Sequence, residues 1–198
     1  MPAGSSLNID KLARDLSVSQ TPIREALARL ESTGLVRRAA LKGYHVAPLY
    51  TERELADLMD ARAVIEPENT FLACTRASSS LIADLADSIE DLETIAKSPN
   101  STEYHSYWEA DERFHNLIAQ HSENRFLQSA YESLGGHVQR FRLFGALGVT
   151  DAEFAIAEHR DILTAFEKGN AERARQAMAT HIANVKQRTH SDREALSD

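Results

Sequence analysis

The sequence of 198 residues has one cysteine, one tryptophan and no long apolar run. A lone Cys74 cannot form an internal disulfide, so disulfide-stabilised extracellular classes are excluded and a cytoplasmic location is the default. No stretch approaches the roughly 20 apolar residues that span a bilayer, and we therefore expect no membrane partner. The N-terminus shows no basic segment followed by an apolar core, which predicts that no secretory signal is present.

Charge is unevenly distributed along the chain. The formal net charge of −8 would by itself argue against nucleic-acid binding. Residues 1–50, however, hold seven Lys and Arg against four Asp and Glu, a net charge of +3, which leaves −11 on the remainder. A basic N-terminal segment followed by an acidic remainder is typical of a DNA-binding domain joined to a domain with another function. A net charge of +3 is also within the range of chance.

Residues 1–50 follow the order of a winged helix-turn-helix. Hydrophobic spacing predicts a first helix over residues 7–17 and a second over 21–33, separated by a short turn. Gly34 then stands where a left-handed helix cap is favoured. Two short strands are predicted over residues 35–38 and 43–47, and they would form the wing.

The start of the second helix is marked by Thr21 and Pro22. Proline is favoured at a first helical position, since its preset backbone angle suits the helix and its missing amide is not needed there. Thr21, kept out of helical geometry by the proline, is the predicted N-cap. In helix-turn-helix proteins this exposed end of the second helix reaches base edges and phosphates.

From residue 51 onwards the pattern is helical. Breaks are predicted near residues 76–80, 97–101, 121–124, 145–150 and 169–170. They leave about six helices within residues 52–190, with connections of the length found in helix bundles. Capping boxes are predicted at residues 51–54 and 150–153, and Pro67 should kink or break the first helix of this region. The polar residues 191–198 are expected to fray.

Three of these helices carry polar side chains on their apolar faces. Asp111 and His115 lie one turn apart on one helix, and His159 and His181 lie on the apolar stripes of two others. A carboxylate in a bundle core is costly unless it is paired or bound to a cation. Imidazole and carboxylate together suit Zn²⁺, Ni²⁺, Fe²⁺ or Mn²⁺. The spacing alone leaves two alternatives, a metal site or a polar core of hydrogen-bonded histidines.

Two arginines are candidates for binding a ligand in the same interior. Arg62 lies one helical turn before Glu66, and Arg140 lies among apolar neighbours. The guanidinium group commonly binds a carboxylate through two parallel hydrogen bonds. The alternative for Arg62 is an ion pair with Glu66 on a solvated helix face.

Two groups of residues resemble a known family. Residues 12–27 (LARDLSVSQTPIREAL), with the later Gly34-Leu35-Val36 and Lys42-Gly43, resemble the GntR family of bacterial transcription regulators. The run Asp111-Glu112-Arg113-Phe114-His115, with His159-Arg160-Asp161-Ile162 and His181, resembles the FadR/VanR-like branch whose C-terminal FCD domain is all-helical. Six C-terminal helices are similar to the shorter, VanR-like version of that domain.

The resemblance implies that Asp111, His115, His159 and His181 bind a divalent transition metal. It also implies that a small organic acid or related metabolite completes the coordination. Arg62 and Arg140, selected above from the sequence pattern, are the candidate contacts for that acid. The recognition helix and wing would bind operator DNA. The residues assigned to that DNA are Lys11, Arg14, Ser19, Gln20, Thr21, Arg24, Lys42 and Gly43.

Two departures from the family pattern affect DNA binding. The family commonly has Arg at the position of Gln20, and Gln favours adenine edges where Arg favours guanine. The family also has a helix ahead of the turn at Pro2-Ala3-Gly4, so residues 1–50 are expected to lack that first helix. Its loss would uncover part of a small core and weaken operator binding.

The sequence thus predicts a mainly α protein with three parts. Residues 1–50 form a winged helix-turn-helix, residues 51–190 an all-helical bundle that binds metal and effector and dimerises, and residues 191–198 a tail. The predicted function is a ligand-responsive regulator, with repression the favoured direction, acting as a homodimer on a near-palindromic operator. Two rivals are a metalloenzyme that activates water and a regulator whose metal is purely structural.

Overall fold

A computed structural model of the chain describes residues 1–97, 104–144 and 151–195, without the side chains of residues 104–105, 141–144 and 190–195. The described elements are β1 (Ser6–Leu7), α1 (Ile9–Asp15), α2 (Gln20–Ser32), β2 (Val36–Ala39), β3 (Gly43–Val46), α3 (Glu52–Thr75), α4 (Ser79–Ala96), α5 (Tyr104–His121), α6 (Arg125–Phe144), α7 (Ala152–Glu167) and α8 (Ala171–Ala195). They fall into two compact units. The winged unit is Met1–Thr51 with α6 from Ser133 onwards, and the helical unit is the rest of the described chain.

The winged unit has a small core built from α1, α2 and the sheet. The side chain of Asn8 caps α1 by accepting a hydrogen bond from the Lys11 amide at 2.9 Å. The three strands run antiparallel in the order β1-β3-β2. The buried core side chains are Leu7, Ala13, Ile23, Leu27, Val36 and Val46.

Helix α2 begins earlier than predicted. Its N-cap is Ser19, so the expected cap Thr21 lies inside the first turn and Pro22 is the third helical residue. The first amides of any helix lack intrahelical partners, so proline is tolerated throughout that turn and not only at its first position. At the other end, Gly34 has a φ of +77°, which confirms the predicted left-handed cap.

The wing contains the two predicted strands and a third that was not predicted. β2 and β3 pair with Val36 opposite Val46 and Ala39 opposite Gly43. β1 adds Ser6 and Leu7 opposite His45 and Tyr44. A two-residue strand that pairs with a segment nearly forty residues away leaves no periodic signal in the sequence.

The second half of α6 packs closely within the winged unit. A Cβ at Gly136 would lie only 2.1 Å from the carbonyl oxygen of Thr33, so the close approach of the helix requires glycine. One residue later, the His137 ring lies 2.5 Å, Nδ1 to hydroxyl oxygen, from Tyr50. The winged unit is therefore completed by a distant segment of the chain.

The six helices predicted for residues 52–190 are present among the described residues as α3 to α8, and α6 belongs to the helical unit only up to Glu132. The breaks near residues 76–80, 121–124 and 169–170 are confirmed, and those near 97–101 and 145–150 lie largely outside the described residues. Helix α3 begins directly after the predicted cap Thr51. The second predicted capping box includes Thr150, which is also outside the described residues.

Two expectations for the helical unit are corrected. Helix α3 runs unbroken through Pro67, which is buried, so of the two expected outcomes the break is wrong and the kink stays a prediction. The proline costs about 3 kcal/mol in a helix interior, but α3 packs along both α5 and α8, and a break would expose that whole face. Helix α8 continues to Ala195, so helical backbone extends into the segment expected to fray, while residues 196–198 lie outside the described part.

The core of the helical unit lies between α3, α4, α5, α7 and α8. Its largest buried side chains include Phe114, Ile118, Ile162, Phe166, Met178 and Ile182. This packing turns one face each of α3, α5, α7 and α8 toward a common interior. Among the described residues, no helix is long and apolar enough to cross a membrane.

Candidate metal centre and nucleic-acid interface

The structure brings together the three histidines that the sequence placed on separate helices. His115 on α5, His159 on α7 and His181 on α8 are exposed by no more than 3%. Taking one ring nitrogen from each, the three atoms all lie within 4.8 Å of one another. We call these three residues the histidine cluster.

The rings of the cluster contact each other directly. Centroid distances are 5.2 Å for His115–His159, 5.3 Å for His115–His181 and 4.7 Å for His159–His181. Phe114 stacks on His159 at 4.2 Å and closes the cluster on its apolar side. Such packing limits the rotation of the rings and holds their nitrogens near a common point.

Asp111 adjoins the cluster at His159. One of its carboxylate oxygens lies 3.7 Å from His159 Nε2, and the residue is 4% exposed. Because Asp111 is one turn before His115 on α5, both side chains face the same interior. The four residues assigned to the metal are therefore buried together in the helical unit.

A buried ion pair lies against His115. Arg62 donates from Nε to one oxygen of Glu66 at 2.5 Å, and the other oxygen lies 2.7 Å from His115 Nδ1. Burial alone would raise the pKa of Glu66, but Arg62 and His115 hold the pKa of this carboxyl well below its usual range. The sequence alternative of an Arg62–Glu66 pair is correct, whereas its placement on a solvated face is wrong, since both are 3% exposed.

A second carboxylate lies against His181. Glu158 accepts a hydrogen bond from His181 Nδ1 at 2.7 Å and is held by Asn184 and by two nitrogens of Arg188. Although burial raises the pKa of Glu158, these hydrogen bonds lower it to about 2. Burial lowers the pKa of His181 to about 4 despite the bond to Glu158, so the ring is neutral at pH 7.

The donor set fits a divalent transition metal. Neutral imidazoles and a carboxylate are ligands for Zn²⁺, Ni²⁺, Fe²⁺ and Mn²⁺. His115 Nε2 is buried and has no hydrogen-bond partner among the described residues. Such an orphaned acceptor or donor costs free energy in a dry interior. A metal ion would bind this nitrogen and offset the free-energy cost of burying the Asp111 carboxylate.

Arg140, the other predicted effector contact, is engaged within the winged unit. It belongs to the winged unit, where Nε donates to the Pro48 carbonyl oxygen at 2.8 Å and the guanidinium lies 3.6 Å from the ring centroid of Tyr50. These contacts use the guanidinium to hold the segment that follows the wing. Arg62 lies beside the histidine cluster through Glu66, and its contact with an effector, like that of Arg140, stays a prediction.

The residues assigned to DNA are all exposed. They are Lys11, Arg14, Ser19, Gln20, Thr21, Arg24, Lys42 and Gly43. At the start of α2, Gln20 donates to Asp10 at 2.5 Å and accepts from Arg24 at 3.2 Å. Both ends of the Gln20 amide are thus engaged within the protein, and Arg24 is the side chain that they orient.

Sequence reasoning missed the carboxylates that contact the cluster. Glu158 directly precedes His159, and Glu66 is one turn from Arg62, so both were visible as acidic residues near candidate sites. Nothing in a single sequence indicates that Glu158 turns toward His181 or Glu66 toward His115. Those contacts arise from the packing of α7 on α8 and of α3 on α5.

Comparisons with known proteins assign both parts of the chain to known families. The family described as "Bacterial regulatory proteins, gntR family" matches residues 1–46, and the family "FCD domain" matches residues 57–184. An uncharacterized HTH-type transcriptional regulator of Bacillus subtilis, YdhC, is 28% identical over 90% of this chain and 79% of its own length. A probable D-xylose utilization operon transcriptional repressor of Paenarthrobacter nicotinovorans is 26% identical over 92% and 78%.

Solved structures share the fold. McbR/YncC of E. coli superposes with a TM-score of 0.77 at 20% identity, over 96% of this chain and 89% of that one. The Zn²⁺-bound FCD domain of TM0439 superposes with a TM-score of 0.51 at 23% identity, over 70% and 92%. The chain belongs to the GntR family of bacterial regulatory proteins, in the group with a C-terminal FCD domain, and is a DNA-binding transcription regulator and not an enzyme.

Proposed function

We propose that the protein is a repressor whose helical unit binds a divalent metal and a small organic acid. The observation that carries the proposal is the meeting of three buried histidines from three helices, with Asp111 beside them. The Zn²⁺-bound state of a protein with the same fold supports it. Four protein ligands would leave one or two positions for the effector if the metal is five- or six-coordinate.

The charge at the site favours an anionic effector. Arg62 and Glu66 neutralise each other, and so do Arg188 and Glu158, so a divalent metal with Asp111 would leave a net charge of about +1 at the cluster. An organic acid that approaches the metal through a carboxylate balances this charge. Arg62 already uses Nε on Glu66, and the rest of its guanidinium is the candidate second contact for the acid.

Operator binding is assigned to the winged unit. The exposed start of α2 would lie in the major groove, with Thr21 and Arg24 at base edges or phosphates. Lys11, Arg14 and Lys42 would neutralise phosphates along the groove. A homodimer would bind a near-palindromic site, and effector binding would release it with a coupling of roughly 1–3 kcal/mol. Action on operator DNA implies a cytoplasmic location.

The first experiment is metal analysis of the purified full chain beside His159→Ala. Wild type should hold about one metal ion per chain after loading with Zn²⁺ and gel filtration, and His159→Ala should hold far less. His121→Ala is the matched control, because His121 ends α5 with its ring on the Leu117 carbonyl, outside the cluster. Equal metal content in all three proteins would contradict the site.

Adding organic acids distinguishes a structural role of the metal from a sensory role. Thermal unfolding of the Zn²⁺-loaded protein is followed across a panel of mono- and dicarboxylic acids, and those that raise the midpoint are tested for release of the operator. Release in wild type, lost in Asp111→Ala with folding retained, supports the sensory role. Metal binding with no acid-dependent change in the midpoint or in operator binding would favour a structural site.

A further inference from the structure

The histidine that joins α8 to the cluster is held by a carboxylate outside the cluster. His181 Nδ1 lies 2.7 Å from Glu158 Oε2, and the ring is 2% exposed. A histidine that binds a metal through one nitrogen commonly donates its other N–H to a carboxylate, which fixes the tautomer and the ring orientation. Glu158 is in the position to do this for His181.

Glu158 is itself immobilised by donors. Arg188 contacts both of its oxygens, Nη1 to Oε1 at 2.7 Å and Nη2 to Oε2 at 3.0 Å, and Asn184 donates to Oε1 at 2.8 Å. Arg188 is anchored in turn by Asp151 at 2.7 Å. Since all of these groups donate to the carboxylate, it can only accept from His181, and the ring hydrogen must lie on Nδ1.

The comparable contact at His115 is less well formed. Glu66 lies at the same distance from His115 Nδ1, 2.7 Å, but the two groups are not aligned as a hydrogen bond. Glu66 is turned toward Arg62 instead. The aligned and anchored carboxylate is therefore the one on His181.

We propose that Glu158, anchored by Arg188 and Asn184, is a positioning residue that presents His181 Nε2 to the metal. The inference rests on the metal site proposed above. It assigns to α7 two tasks from adjacent residues: His159 is a ligand, and Glu158 orients a ligand on α8.

The test is a competition titration of the full chain with Co²⁺ and a chromophoric chelator. Glu158→Gln keeps the size of the side chain but removes the charge that fixes the tautomer, and it should bind Co²⁺ about 10- to 100-fold more weakly than wild type. The matched control is Glu153→Gln, which alters an exposed acid of the same helix and should bind as wild type does. Circular dichroism establishes that the variants are folded.

A second measurement needs no variant and no metal. Long-range ¹H–¹⁵N spectra of the metal-free wild type should show the His181 hydrogen on Nδ1, because the Glu158 carboxylate can only accept. A hydrogen on Nε2, or equal Co²⁺ affinity in wild type and Glu158→Gln, overturns the assignment while leaving the metal site intact. Failure of the wild type itself to bind Co²⁺ overturns the metal site together with this inference.

Discussion

In the winged unit the eight residues assigned to DNA are all exposed, whereas in the helical unit the four assigned to the metal are at most 4% exposed. In the exposed set, Gln20 donates to Asp10 and accepts from Arg24. The buried set is surrounded by carboxylates and arginines that are paired with one another. Substitutions in the exposed set should therefore change DNA binding without changing stability. Substitutions in the buried set should change metal binding and stability together.

The largest expected effect is at the buried pair. Glu66→Gln leaves the Arg62 guanidinium buried without its carboxylate, and we expect a loss of about 3–5 kcal/mol in the free energy of unfolding of the metal-free protein. Urea denaturation measures it. The double variant Arg62→Met with Glu66→Leu removes both charges and should cost much less. A loss below about 1 kcal/mol for Glu66→Gln would show that the pair is not buried as described.

The next largest effect on stability is expected where α6 packs within the winged unit. Gly34→Ala adds a methyl group that would meet the His137 ring at 2.5 Å, and it also strains a residue at φ +77°. The matched control is Gly4→Ala, which has the same φ but open space around it. Both should lose about 1–2 kcal/mol from strain, and Gly34→Ala about 1–3 kcal/mol more from overpacking. Equal losses in thermal or urea unfolding would contradict the contact with α6.

A substitution on the exposed surface of the winged unit should change DNA binding alone. Arg24→Ala should weaken operator binding by roughly 1–3 kcal/mol, because it removes a proposed contact to DNA. It should change the free energy of unfolding by less than about 0.5 kcal/mol. A duplex selected from a random library serves as operator, and Arg29→Ala, an exposed change later in α2, is the control.

The salt dependence of the same titration checks how that surface binds. Phosphate contacts release counterions, so operator affinity should fall steeply as salt rises. A flat dependence, or loss of stability in Arg24→Ala comparable to its loss of affinity, would remove the contrast between the two units.

Most of the helices were predicted because helix ends and apolar helix faces are marked by residues close together in the sequence. Gly34 at φ +77° and Gly169 at φ +61° mark helix ends that the sequence placed correctly. The start of α2 was a local error, whereas two others came from contacts between distant residues. β1 depends on pairing with β3, and the continuity of α3 through Pro67 depends on its packing against α5 and α8.

The candidate site was predictable only in part. Helical periodicity placed Asp111, His115, His159 and His181 on inward faces, which is the information that one helix at a time can carry. The partners of these residues depend on which helices meet. Arg140 has the same local signature as a pocket arginine, yet its guanidinium holds the Pro48 carbonyl in the winged unit.

X-ray absorption at the zinc edge of the Zn²⁺-loaded full chain tests the central claim most directly. Three histidines sharing one ion should give three imidazole nitrogens at about 2.0–2.1 Å, with the multiple scattering of their rings. Fewer than three imidazoles, or a shell of oxygen alone, would show that His115, His159 and His181 do not converge on a metal.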